Sequence, residues 1–147
     1  MHKVESHTIT LEAALTVASN LSEADRREIE EGWGQNVIET FTTIAKSKSG
    51  EYIVMPNGKT AALIGVEDAG IVWMVCTDDI LDFPIAFARW VKGWVESRPE
   101  PLLWNYVDKR NTTHLNLLKF LGFKFLRELP FGPNQLSFIE FCRVKLF

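Results

Sequence analysis

The apolar positions of the chain change period along its length. Leu11, Ala14, Leu15 and Ala18 recur at helical spacing until Asn20 interrupts them. Ser22, with Asp25 three residues on, reads as a capping pair that opens a second helix through Ile29 toward Trp33, ended by Gly32 and Gly34. Val37, Phe41 and Ile44 fall at i, i+4 and i+7, which predicts a third helix from about Gln35 to Lys46. A short strand over residues 7 to 10 (His-Thr-Ile-Thr) precedes all three.

The middle then reads as strands. Glu51 to Met55 and Lys59 to Val66 flank the hairpin turn Pro56-Asn57-Gly58, and Glu67-Asp68-Ala69-Gly70 turns into the nearly all-apolar run Ile71 to Thr77, a central strand covered on both faces. These three strands are expected to form an antiparallel meander. Pro84 opens a helix in which Phe87, Trp90, Val91, Trp94 and Val95 form a core stripe, closed by Pro99 and Pro101. Leu102 to Val107 reads as a strand and Thr112 to Leu121 as a helix ended by Gly122. Phe123 to Leu129 and Leu136 to Val144 are two last strands, joined by the loop Pro130 to Asn134.

The 147 residues are 46% hydrophobic and 24% charged, the composition of one globular domain spanning 1–147. With 16 basic and 19 acidic residues the net charge of −3 offers no general attraction for a nucleic-acid backbone. No apolar stretch reaches the roughly 20 residues that span a bilayer, and the first seven residues lack a secretory hydrophobic region, so neither nucleic acid nor membrane is expected as a partner and a cytoplasmic protein is expected. Cys76 and Cys142 sit in apolar runs and read as free thiols of a reducing compartment. No metal site is expected, because His2, His7 and His114 are not at ligand spacing and no Cys-x-x-Cys occurs.

One segment carries a resemblance. Asn111-Thr-Thr-His114-Leu-Asn-Leu-Leu118-Lys-Phe-Leu121-Gly122-Phe123-Lys124 resembles the late segment of the GNAT acyltransferases, in which an asparagine opens the helix after the fifth strand and a Leu-Gly-Phe turn leads into the sixth. Asn111 suits a helix cap, and Gly122 a left-handed helix end. The resemblance implies an α/β GNAT-like (acyl-CoA N-acyltransferase) fold, a central mixed, mostly antiparallel sheet flanked by helices. Through Leu103-Trp104-Asn105-Tyr106-Val107 and Asn111-Thr112-x-His114 the chain is more similar still to a family of internal virion proteins of short-tailed coliphages. That similarity is best over 102–125, loose over 59–98 and slight over the first 50 residues, and it implies a role in particle assembly.

Two departures from the enzymes stand out. Their pyrophosphate loop carries Arg or Gln and glycines, whereas Thr77-Asp78-Asp79-Ile80-Leu81-Asp82-Phe83-Pro84 has no glycine, no arginine and three carboxylates, which repel phosphate. Leu118 stands where many of them carry a proton-donating tyrosine. The expected function is therefore a GNAT-like protein acting in virion assembly or as an internal virion component through phage or host protein contacts, in the host cytoplasm and the particle interior, with no cofactor and no acetyltransferase activity. The alternative is an active N-acetyltransferase with acetyl-CoA in the groove between the fourth and fifth strands. His114 or Tyr106 would then be the catalytic acid, and Cys76, Thr77 and Asn111 would lie at the cofactor. A third reading is an inhibitor of a host protein, bound through residues 78–82 or the Phe131 loop. Trp33, Phe131 and Asn134 are the candidate contact residues, with Phe147 a further unexplained aromatic. Lys109, Arg110, Lys119, Lys124 and Arg127 read as a solvated basic face.

Overall fold

The helical periodicity near the start becomes three short helices, each opened by a side-chain cap. In a computed structural model that describes residues 3–145, α1 (Leu11–Ser19), α2 (Glu23–Arg27) and α3 (Val37–Ser47) begin where Thr10, Ser22 and Asn36 accept hydrogen bonds from the N–H groups of Ala13, Asp25 and Glu39. His2 and Phe147 lie outside the described residues. Only half of the expected capping pair forms. The Asp25 carboxylate does not return to Ser22 but turns inward, accepting from Cys76 and Asn111. After α2 the chain widens into a π turn, Glu28–Gly32, closed by Trp33 N–H on Glu28 O at 2.9 Å, a feature no hydrophobic period announces.

Seven strands make one sheet: β1 (Glu5–Thr8), β2 (Gly50–Val54), β3 (Thr60–Glu67), β4 (Ile71–Cys76), β5 (Leu102–Asp108), β6 (Lys124–Phe131) and β7 (Leu136–Val144), in the order β1-β2-β3-β4-β5-β7-β6. The meander is antiparallel as expected and gains β1 on its outer edge. β1 starts two residues earlier than the pattern indicated, because Ile9 drops into the core. β5, β7 and β6 pair antiparallel in a second block. β6 runs through Pro130 and Phe131, which the sequence suggested were loop; as an edge strand it tolerates the missing proline N–H.

The helices cover both faces. α1 and α3 pack on one side around Val17, Phe41 and Leu63. α4 (Pro84–Ser97) and α5 (Thr112–Phe120) pack on the other, where Phe87, Val91, Trp94 and Val95 realise the predicted stripe and Trp90 packs at its margin. Trp94 spends its indole N–H on Glu51 at 2.7 Å, so its ring is buried without an orphaned donor. Both cysteines are free. Three of the predicted basic residues are held in ion pairs: Lys109 with Glu128, Arg110 with Asp108 and Glu31, and Arg127 with Glu140.

The β6–β7 hairpin is locked onto the π turn. Gly132 has φ 73°, and a Cβ there would strike the backbone oxygen of Gly32, while a Cβ at Gly32 would lie 2.5 Å from the Phe138 ring. This close approach fixes Trp33, Glu31 and Glu28 relative to β5 and β7.

Candidate active site

The two blocks of the sheet meet where β4 and β5 run parallel, and that contact is one pair long, Ile71 with Trp104. Beyond it the strands diverge, and an open edge of backbone polar groups must find other partners. At the narrow end the Asn105 amide spans the gap and donates to Val72 O at 2.8 Å. At the wide end a single helical segment serves both strands: Asp25 accepts the Cys76 N–H of β4 at 2.7 Å, and Glu28 accepts the Asp108 N–H of β5 at 2.9 Å. α2 with its π turn is thus a wedge between the splayed strands.

Between these ends lies a cleft of about 850 Å³. Its lining includes Glu39, Thr40 and Ile44 of α3 on one face of the sheet and Val91, Leu117 and Leu118 of α4 and α5 on the other, so the cleft passes through the sheet at the split. Glu28 lines it, as do Trp33, Trp104, Tyr106 and Phe131. The aromatic side is ordered by ring contacts: Tyr106 stacks on Phe131 at 5.2 Å, and Trp33 meets Phe131 edge-on at 4.7 Å. The Trp73 indole N–H, buried and without a hydrogen-bond partner among the described residues, belongs to the same lining.

Behind the cleft is a buried polar knot. Asp25, at 3% exposure, lies 3.1 Å from His114 Nε2 and accepts from Asn111 Nδ2 at 2.7 Å; Asn111 also caps α5 through the His114 N–H. Burial disfavours the Asp25 charge, but His114 and the hydrogen bonds from Asn111 and Cys76 outweigh it and hold the carboxyl below its ordinary range. Burial likewise disfavours the His114 imidazolium, yet Asp25 and Cys76 beside it hold that group well above its usual value. Burial pushes the Cys76 thiol up. Glu28 is raised to about 7, first by burial and further by the neighbouring Asp25 and Asp108 carboxylates, with His114 opposing. Arg110 fastens Asp108 and Glu31 together at 2.8 Å each.

The sequence candidates divide between these two places. Cys76, Thr77, Asn111 and His114 come together in or beside the knot; the first three are at most 2% exposed and hydrogen-bonded internally, and His114 also touches the cleft. Tyr106, Trp33 and Phe131 come together on the cleft wall, and Asn134 donates to Glu31 O at 2.8 Å. Leu118 faces the cleft, so the position of the family's tyrosine has no hydroxyl. Sequence reasoning missed Asp25, which reads as a cap, and Glu28, which sits in a charged run resembling a solvated helix face. The acidic segment is a 3₁₀ turn, Asp78–Asp82, in which Thr77 Oγ accepts the Asp79 N–H, Lys59 lies 3.5 Å from Asp79, and Asp78 and Asp82 face solvent.

The sequence matches no protein-family profile and no curated protein. Solved structures do match. A GNAT-family acetyltransferase from Bacillus anthracis aligns over 97% of this chain and 95% of its own at TM-score 0.73 and 7% identity. A GNAT-family acetyltransferase from Streptococcus agalactiae aligns over 98% and 96% at TM-score 0.70 and 13% identity. The aminoglycoside acetyltransferase AAC(6')-Ib, solved with coenzyme A, aligns over 97% and 95% at TM-score 0.64 and 14% identity. At these identities the likeness establishes the GNAT fold. It also overturns the expectation of a non-enzymatic virion component: the three structures named above, aligned over nearly their full length, are acetyltransferases, and none of them is an internal virion protein.

Proposed function

We propose that the protein is an N-acyltransferase that moves an acyl group from a thioester, acetyl-CoA in the simplest case, to an amine. The observation that carries this reading is the cleft through the split sheet, which lets a thioester arm enter from the α4–α5 face and meet an amine arriving from the α3 face. The aminoglycoside acetyltransferase of the same fold binds coenzyme A and, in a second structure, acetyl-CoA, which supports the assignment of the donor.

The donor fits in part. The apolar groove lined by Val91, Leu117 and Leu118 suits an extended pantetheine-like arm, whereas the acidic turn Asp78–Asp82 does not suit a pyrophosphate. The nucleotide end is therefore left outside this turn, and the arm supplies most of the affinity. When bound, the thioester supplies an electrophilic acyl carbon. Glu28, raised to about 7, takes the proton from the incoming ammonium so that a neutral amine attacks. Tyr106, on the cleft wall, supplies a hydroxyl for the departing thiolate. Glu28 and Glu39, with the faces of Trp33, Trp104 and Phe131, favour a cationic amine on an apolar body.

The test is amine-dependent thiol release from acetyl-CoA by wild type, Glu28→Gln and Tyr106→Phe. Release by wild type, reduced about a hundredfold or more in each variant, is expected. Equal rates in all three would remove both residues from the mechanism.

A further inference from the structure

The knot behind the cleft brings three metal-ligating side chains together from three separate elements. One donor atom each of Asp25 (α2), Cys76 (β4) and His114 (α5) lies within 4.8 Å of the other two. Asp25 and Cys76 are buried, and His114 is at 13% exposure with its Nε2 fully enclosed. We propose that Asp25, Cys76 and His114 bind one divalent transition-metal ion of the zinc class, independently of whether the neighbouring cleft transfers acyl groups.

Three observations support the site. First, His114 Nε2 lies 3.1 Å from Asp25 Oδ1, fully enclosed and without a well-aligned hydrogen bond to any described residue. A carboxylate oxygen and an imidazole nitrogen that face each other at this distance in an enclosed site are arranged like two ligands of one ion, which would replace the charge pair they form in its absence. Second, the ligands have the outer support metal sites use. Asn111 Nδ2 and the Cys76 N–H each donate to the Asp25 carboxylate at 2.7 Å, which fixes its orientation and leaves lone pairs for an ion. Third, a separate cavity of about 140 Å³ is lined by Cys76 and His114 together with Ser22, Thr77 and Thr113, giving room for a water as fourth ligand.

Charge and softness select the ion. A carboxylate and a thiolate carry two negative charges, so a divalent ion gives a neutral centre, the least costly form in a buried site. Thiolate and imidazole favour zinc, cobalt or copper over magnesium or calcium. The ion would tie α2 to the end of β4 and to α5.

The test uses the full chain, stripped with chelator, and Co²⁺ as a spectroscopic probe. The site predicts one equivalent of Co²⁺ with the visible bands of a four-coordinate ion and a thiolate charge-transfer band, lost on adding Zn²⁺. The bands should vanish in Cys76→Ser and persist in Cys142→Ser. X-ray absorption on the wild-type zinc form guards against a variant that misfolds: one sulfur at about 2.3 Å with nitrogen and oxygen at about 2.0–2.1 Å is expected. No thiolate band in folded wild type, bands that follow Cys142, or a zinc shell without sulfur would overturn the site.

Discussion

Asp25 and Cys76 are joined across 51 positions of sequence by a 2.7 Å hydrogen bond from the Cys76 N–H to a buried carboxylate oxygen. The bond settles a problem that the fold creates. A strand edge left open by the split would carry unsatisfied amides, and here a side chain from α2 takes the place of the missing strand partner.

Replacing Asp25 by Ala therefore removes more than one contact. The Cys76 N–H and the Asn111 amide lose their acceptor inside the protein, and the charged His114 loses its counter-ion. Breaking a buried pair of this kind costs about 3–5 kcal/mol, a large part of a stability of roughly 5–15 kcal/mol. Denaturant unfolding of metal-free protein should show this loss for Asp25→Ala and a smaller one for Asp25→Asn, which keeps an acceptor. Equal stability of Asp25→Ala and wild type would contradict the wedge.

Glu28 gives a pH signature. Its carboxyl is raised from an ordinary 4.5 to about 7, so between those values the folded chain holds this proton more tightly than the unfolded chain. Its contribution to stability is thus greatest below about pH 4.5 and is lost as pH rises through about 7. Glu28→Gln keeps an oxygen for the Asp108 N–H and removes the titration. The stability advantage of Glu28→Gln over wild type should grow between pH 4.5 and 7 and level off above, in thermal unfolding run in paired buffers. Acyl transfer by wild type should rise as pH passes through about 7, where the folded-state base loses its proton.

The helices, the meander and the late Asn111-to-Lys124 segment were legible in the sequence because caps, turn residues and apolar period agree there. The site was not, and the reason is physical. Asp25 satisfies a local capping pattern, and only tertiary structure shows its carboxylate spent on β4 instead. Glu28 lies among charged neighbours, and its place on the cleft lining comes from a π turn that no hydrophobic period encodes. His114 was found, but its partners lie on α2 and β4, beyond any spacing rule. Residues 77–84 carry the acidic turn that the sequence shows, whereas the split between β4 and β5 is formed by the backbone, where no residue pattern announces it.

The acidic turn should weaken donor binding without touching chemistry. Asp78 and Asp82 are exposed, and their charges oppose the phosphates of a nucleotide thioester. Asp78→Asn with Asp82→Asn should lower KM for acetyl-CoA several-fold, leave kcat unchanged, and leave KM for acetyl-pantetheine unchanged, since that donor carries no phosphate. Steady-state kinetics with both donors makes the comparison; an equal change for the two would move the effect away from charge.

Gly132 tests how the cleft wall is held. Its φ of 73° and its approach to Gly32 O leave no room for a Cβ. Gly132→Ala should cost roughly 2 kcal/mol or more from the left-handed backbone and the clash together. It should also shift the Trp33 indole N–H resonance, whose ring meets Phe131 edge-on at 4.7 Å, as the hairpin lifts. A fully stable Gly132→Ala protein would mean that the hairpin tip is free of the π turn.

An acyl thioester in the gap between β4 and β5 is read out by a residue-resolved amide NMR titration of the wild-type protein with acetyl-CoA. Saturable shifts are expected on the facing edges, Val72 to Val75 and Asn105 to Val107, with Leu117 and Leu118 following. No shift at millimolar donor, or shifts confined to surfaces away from the split, would contradict that placement.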